Sequence, residues 1–254
     1  GWTELERITT SKTWTVPDGV TQIGVFLIGG GQSGEASSQY SYTYSVYGGC
    51  SGCIKNAVIN VTPGQKFNVV IGSGGSKVTV TDLKAEGKPG GDTSFGDIVA
   101  KGGGNEVKPL NKAKSFQYGA QMPCDYASSE QAPSGGCNIG FFGGALGTFY
   151  IFNTPISESC NCFSHMKVAC AGASCIYSHK DSDVLAQSQA TSDLGNGGKA
   201  GHLHTSSPTT VNAGAATGYG NGGGACQIRA SGSSQTGNKA ISGAGSPGIV
   251  IIYV

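Results

Sequence analysis

Charge is scarce in this chain. Only 12 % of its 254 residues are Asp, Glu, Lys or Arg, and they leave a net charge of +1. That argues against a nucleic-acid partner, because neutralising phosphates takes clustered Lys and Arg. No apolar run approaches the roughly 20 residues that span a bilayer, so no membrane insertion is expected. Helical periods with caps are missing too, Ser182–Gln189 being the best short candidate. The four His are scattered, and no G-x-S-x-G, H-E-x-x-H or P-loop occurs. Residues 195–254 hold no Asp or Glu. Paired carboxylates for sugar hydrolysis would have to come from Asp181 with Asp183 or Asp92 with Asp97, which read as solvated loop residues. No G-x-G-x-x-G sits between a strand and an amphipathic helix. Neither enzymatic activity nor a cofactor is expected. The chain opens at Gly1 with neither an initiator Met nor a secretory signal, which suggests the C-terminal part of something longer.

Leu, Ile, Val and Phe together number 50, near the composition at which chains become disordered. Disorder also needs a high net charge, which is absent, and the apolar residues are gathered in short blocks. A small core is the better reading. Glycine fills the remaining space: 44 residues, with 21 in 1–104, 8 in 105–194 and 15 in 195–254. No strict every-third-residue period runs through either rich region, which excludes collagen. Nor is this a flexible linker, since the glycines alternate with good strands.

Those strands open with Lys12–Val16 and Gln22–Ile28, separated by the turn signal Pro17-Asp18-Gly19. Ile54–Val61 runs into Thr62-Pro63-Gly64, and Phe67–Ile71 follows with Phe67, Val69 and Ile71 on one face. Val78–Leu83 and Ser94–Ala100 are weaker candidates. The closing Ile249–Val254 is apolar on both faces, as expected of a strand in the middle of a sheet. Between strands lie Gly29–Gly34, Gly48–Gly52, Gly72–Gly75, Gly87–Gly91 and Gly102–Gly104. A hairpin needs only two such residues. Longer runs predict extended, polyproline-II-like segments lying against one another, since only Gly lets backbones approach so closely.

The order of these phrases carries a resemblance. Trp14-Thr15-Val16-Pro17-Asp18-Gly19-Val20 leads to Ile28-Gly29-Gly30-Gly31, then Val61-Thr62-Pro63-Gly64-Gln65. Ile71-Gly72-Ser73-Gly74-Gly75 and Gly90-Gly91-Asp92-Thr93-Ser94-Phe95-Gly96 follow. Gly218-Tyr219-Gly220-Asn221-Gly222-Gly223-Gly224 and Ser246-Pro247-Gly248-Ile249-Val250-Ile251-Ile252-Tyr253 close the series. Over residues 12–104 and 214–254 the chain resembles the glycine-rich domain of tail-fibre receptor-binding tips in bacteriophages and prophages. The resemblance implies a virion tail-tip location, attachment to the rest of the fibre, and host recognition by insertions at one end. It says nothing of the ligand.

Residues 105–213 have no counterpart in that pattern and read as a Cys-rich insertion displayed by the scaffold. Two aromatic clusters are candidate binding surfaces. Tyr40, Tyr42 and Tyr44 alternate along a stretch that ends at Tyr47, and would share one strand face. Tyr rings with polar tips suit glycan or protein contact, although an edge strand packing its tyrosines on the sheet would look the same. Phe141, Phe142, Phe149 and Tyr150 lie in the most apolar block of the insertion, as either its own small core or an exposed patch.

The nine cysteines stand at 50, 53, 124, 137, 160, 162, 170, 175 and 226. An odd number leaves one unpaired unless chains are cross-linked. Cys50 and Cys53 have the C-x-x-C form without a thioredoxin-like βαβ context. Cys160, Cys162, Cys170 and Cys175, with His165 and His179, could be disulfides, buried thiols or a zinc site. His202 and His204 form an H-x-H that would put both imidazoles on one strand face. Three chains around a threefold axis would then offer six nitrogens to a metal, a layout similar to the G-x-H-x-H repeats of some fibre tips. A surface loop would carry the same pair.

The expectation is a mainly β protein: a small β-sandwich with packed glycine-rich segments (1–104 and 214–254) bearing a Cys-rich lobe (105–213). Its expected function is adhesion to a host cell-surface glycan or protein; a homotrimer is one candidate assembly, and the sequence does not fix the oligomeric state. A bacterial cell-surface adhesin or lectin-like module is the alternative, followed by a tail-tip cell-wall-degrading enzyme.

Overall fold

The computed structural model describes residues 2–39, 45–104, 148–151, 154–157, 169–178, 183–186, 188–231 and 237–254. Its architecture is mainly β, with no helix among the described residues.

Two four-stranded antiparallel sheets form a sandwich near the chain ends. In the first, Ile249–Tyr253 and Gln22–Ile28 lie at the centre, flanked by Glu4–Ile8 and Ile54–Asn60. The second orders Ile98–Ala100, Thr93–Phe95, Lys66–Val70 and Lys12–Thr15. Their turns use the glycines predicted for them. Gly19 and Gly64 sit at φ +79° and +81°, and the Gln65 amide closes the second turn on the Thr62 carbonyl at 2.9 Å.

Alternation along the strands decides what each face buries. Ile23, Val25 and Leu27 point with Val250 and Ile252 into the sandwich, against Trp14, Val69 and Phe95. There the rings of Phe95 and Phe67 stack at 4.6 Å, and Trp14 lies 5.7 Å from Phe95. The opposite face of the central strands, Phe26, Ile28, Ile249 and Ile251, is covered by Ala169, Leu194 and Tyr219. Double-sided burial is what the apolar run IVIIYV requires. Each of these fully buried aliphatic side chains contributes about 1.5–3 kcal/mol.

Beyond the sandwich the glycine runs form a bundle of extended struts. Along 29–34 the amides visit three neighbours in rotation. Gly29, Gly30 and Gly31 donate to the carbonyls of Cys53, Gly91 and Ser246 at 2.9, 2.9 and 2.8 Å. Gln32, Ser33 and Gly34 then return to the same three segments through Cys50, Lys88 and Gly243, at 2.9, 3.0 and 3.0 Å. The segment 222–226 repeats the rotation: Gly222 and Ala225 donate to Cys170 and Ala173, Gly223 and Cys226 to Gln32 and Glu35. A period of three is that of polyproline II, which has no internal hydrogen bonds. Each strut therefore satisfies its buried backbone through its neighbours. The packing is close enough to demand glycine. A methyl group on Gly31, Gly222 or Gly223 would overlap the carbonyl of Asn221, Gly49 or Gly243.

The struts 169–174 and 197–200 fall within the 105–213 stretch, so the glycine bundle draws on both parts of the chain. Gly172 donates to the Gly49 carbonyl at 3.0 Å, and Gly198 to that of Gly222 at 2.9 Å. The helical candidate Ser182–Gln189 is corrected by the structure. Asp183–Ala186 is a strand paired antiparallel with Cys175–Ser178, and Val184 is buried with Val46 and Cys175. Cross-strand pairing and a buried β-branched residue outweigh the weak local helical preference there.

Candidate functional site at the distal end

The struts run outward from the sandwich and back. Gln22–Ile28 continues through 29–34 into Ala36–Gln39, and Lys66–Val70 continues through 72–76 into Thr79–Val80. Leu83–Ala85 returns through 87–91 to Thr93–Phe95, and Lys239–Ile241 returns through 242–248 to Ile249–Tyr253. At roughly 3.1 Å per residue, a six-residue strut carries the chain about 20 Å. At the far end two small sheets face each other. One is Gly201–Thr205, Cys226–Ala230, Ala36–Gln39 and Leu83–Ala85, and the other Thr210–Asn212, Lys239–Ile241 and Thr79–Val80. Apolar side chains fill the gap between them: Ala36, Val78, Cys226, Ile228 and Ala240.

The four-stranded distal sheet keeps its polar residues on the other face, in register. His202, Gln227, Ser37 and Lys84 form one cross-strand row, and His204, Arg229 and Gln39 the next. His202 Nδ1 lies 3.2 Å from the Gln227 carbonyl, so that nitrogen carries the proton. Lys84 Nζ reaches the buried Glu35 carboxylate at 2.6 Å, which neutralises a charge that could not otherwise stay buried. The Ser37 hydroxyl and Gln227 Oε1 are buried without a hydrogen-bond partner among the described residues. Beyond the sheets, loops complete the end. Thr205 Oγ1 donates to the Ser207 carbonyl at 2.8 Å, Ser231 Oγ to that of Thr205 at 3.2 Å, and Asn238 Oδ1 accepts the Thr209 amide at 3.0 Å.

Of the predicted contact residues, Tyr40, Tyr42, Tyr44, Phe141 and Phe142 lie outside the described residues. Tyr47 is half-buried beside this sheet; its carbonyl accepts the Glu35 amide at 3.0 Å, and burial with the Glu35 charge raises its hydroxyl pKa. Phe149 and Tyr150 stand on Thr148–Ile151, opposite Ile156 and Pro155 of the antiparallel strand Thr154–Ser157.

The cysteines divide. Cys53 is in a disulfide whose partner is none of the described cysteines, so Cys50 and Cys53 do not pair with each other. Cys50, Cys170, Cys175 and Cys226 are buried thiols. Cys175 Sγ donates to the Gly201 carbonyl at 3.4 Å and Cys226 Sγ to that of Val211 at 3.2 Å. Burial pushes Cys226 up to about 11 and Cys175 higher still. Cys160, Cys162, His165 and His179 lie outside the described residues. Among the described residues no three His, Cys, Asp or Glu side chains gather as metal ligands, the His202–His204 pair included.

Some organising residues escaped the sequence reading. Asn221 is fully buried: its Oδ1 accepts the Cys170 amide at 2.9 Å, and its Nδ2 donates to the Thr217 carbonyl at 2.7 Å. Asp92 Oδ1 and Oδ2 hold the Gly102 amide and Lys101 Nζ at 2.9 and 3.0 Å. The signal for Asn221 was a lone amide side chain inside a glycine run. For the polar rows it was the alternation His202-x-His204 and Gln227-x-Arg229.

Comparison with known families agrees with the glycine bundle. The glycine-rich domain family matches residues 7–254, nearly the whole chain. The chain belongs to that family. The match encloses 105–213 as well as the two flanking regions, and the struts of this glycine-rich domain come from both. No curated protein matches it.

Proposed function

We propose that this glycine-rich domain is a non-catalytic adhesin at the tip of a phage or phage-like tail fibre, contacting a host cell-surface glycan or protein through its distal end. The supporting observation is the separation of its two ends. Thr3 and Val254 exchange backbone hydrogen bonds of 2.8 and 2.9 Å beside the sandwich, and in this reading the sandwich end faces the fibre. The struts then hold polar sheets and loops at the other end, on a backbone lattice with little freedom left to lose on binding. Several copies per particle turn weak single contacts into firm attachment.

Fluorescently labelled protein incubated with a panel of bacterial strains tests this reading. Saturable binding to some strains, displaced by excess unlabelled protein, is the expected outcome. Absence of saturable binding on every strain, or release of soluble sugar or peptide from cell walls, contradicts it.

A further inference from the structure

The strut 48–53 meets both ends of the stretch 105–168. On the way out, the Cys53 amide donates to the Lys101 carbonyl at 2.8 Å, and a methyl group on Gly103 would overlap the carbonyls of Ser51 and Cys50. On the way back, Ala169 packs in one cluster with Ile54, and Gly172 donates to the Gly49 carbonyl at 3.0 Å. Within the strut, the Gly49 and Gly52 amides go to one neighbour, at the carbonyls of Gly223 and Gly220, so the period of three holds here too. Cys50 and Cys53 therefore face the same side, about 9 Å apart along the strut. A disulfide needs Cα atoms within about 7 Å, so this C-x-x-C cannot close on itself. Cys50 is accordingly a buried thiol, yet Cys53 is disulfide-bonded. Cys170, Cys175 and Cys226 are free as well. That leaves Cys124, Cys137, Cys160 and Cys162, which lie outside the described residues and all fall between 105 and 168.

We propose that Cys53 is the fixed half of a covalent clasp fastening the root of the 105–168 stretch to the glycine bundle, with Cys160 or Cys162 as the other half. Distance along the chain selects that pair, because the chance of closing a loop falls as roughly the 3/2 power of its length. Cys162 and Cys160 stand seven and nine residues before Ala169, whereas Cys124 and Cys137 stand 20 and 33 beyond Gly104. The bond joins two sulfurs as their thiols give up two protons and two electrons to a disulfide oxidant. Cys53 is fully buried, so a reductant reaches the bond only when the bundle opens. The clasp is thus a permanent fastening and not a redox switch. It stands independently of the adhesin reading.

Peptic digestion of the full chain, purified without reductant, followed by mass mapping of linked peptides tests the bond. Cys53 is expected to be joined to the peptide that carries Cys160 or Cys162. Dithiothreitol is expected to leave the bond intact in the native protein and to break it in urea. Trypsin is expected to cut between 105 and 168 at least tenfold faster in Cys53→Ala than in Cys50→Ala. A Cys50–Cys53 link, or a free Cys53 thiol in the wild-type protein, overturns the clasp. A link to Cys124 or Cys137 overturns the choice of partner. Ready reduction in the native protein overturns its permanence, and equal cleavage of the two variants overturns the fastening role.

Discussion

The Cα of Gly31 lies so close to the carbonyl of Asn221 that a methyl group there would overlap it. That contact summarises the bundle: backbone packed on backbone, with the side chain deleted to allow it. Gly31→Ala should therefore cost at least about 3 kcal/mol, because the obstacle is main chain and cannot rotate away. Gly64→Ala is the control. No atom lies within 4 Å of that position, and only the φ of +81° is strained, so about 1 kcal/mol is expected. Thermal unfolding of the two variants checks the difference.

Asn221→Ala should destabilise by about 2–4 kcal/mol. It removes the acceptor for the Cys170 amide and the donor to the Thr217 carbonyl, in a site with no water access. Urea unfolding measures the loss. Faster amide exchange in 170–173 and 192–197 would show that the buried amide ties these segments to the bundle.

The sandwich depends on its aromatic cluster. Phe95→Ala leaves a cavity beside Trp14 and Phe67 and should cost about 3–5 kcal/mol. Intrinsic Trp fluorescence should shift to longer wavelength as Trp14 meets water.

Cys175 and Cys226 should resist alkylation in the native protein at pH 8 and react on unfolding, since burial raises both thiol pKa values. The same shift sets a pH dependence. Above pH 9, the ordinary thiol value, the unfolded chain loses these protons while the folded chain keeps them. The folded state then binds more protons, so stability falls as pH rises past 9. Cys175→Ser with Cys226→Ser should flatten that fall, as read from urea midpoints between pH 8 and 10.5.

Much of the fold was legible because local chemistry sets it. Gln22–Ile28 and the closing apolar strand announce themselves by β-branched content, and the turns at Gly19 and Gly64 by their dipeptides. Glycine runs longer than a hairpin needs foretell close-packed extended segments. What stayed hidden is set by pairing. Whether 183–186 becomes strand depends on its antiparallel partner Cys175–Ser178, and the short pattern of 182–189 does not record that pairing. The polar rows need the parallel register of Gly201–Thr205 on Cys226–Ala230, which only the folded struts impose.

The central claim is that the end opposite the chain termini makes the contact. A bulky group attached through an unnatural amino acid at exposed Ser207, on the distal loops, should abolish saturable cell binding. The same group at exposed Lys66, on the sandwich, should leave binding unchanged. Loss of binding at Lys66 with retention at Ser207 would contradict the account.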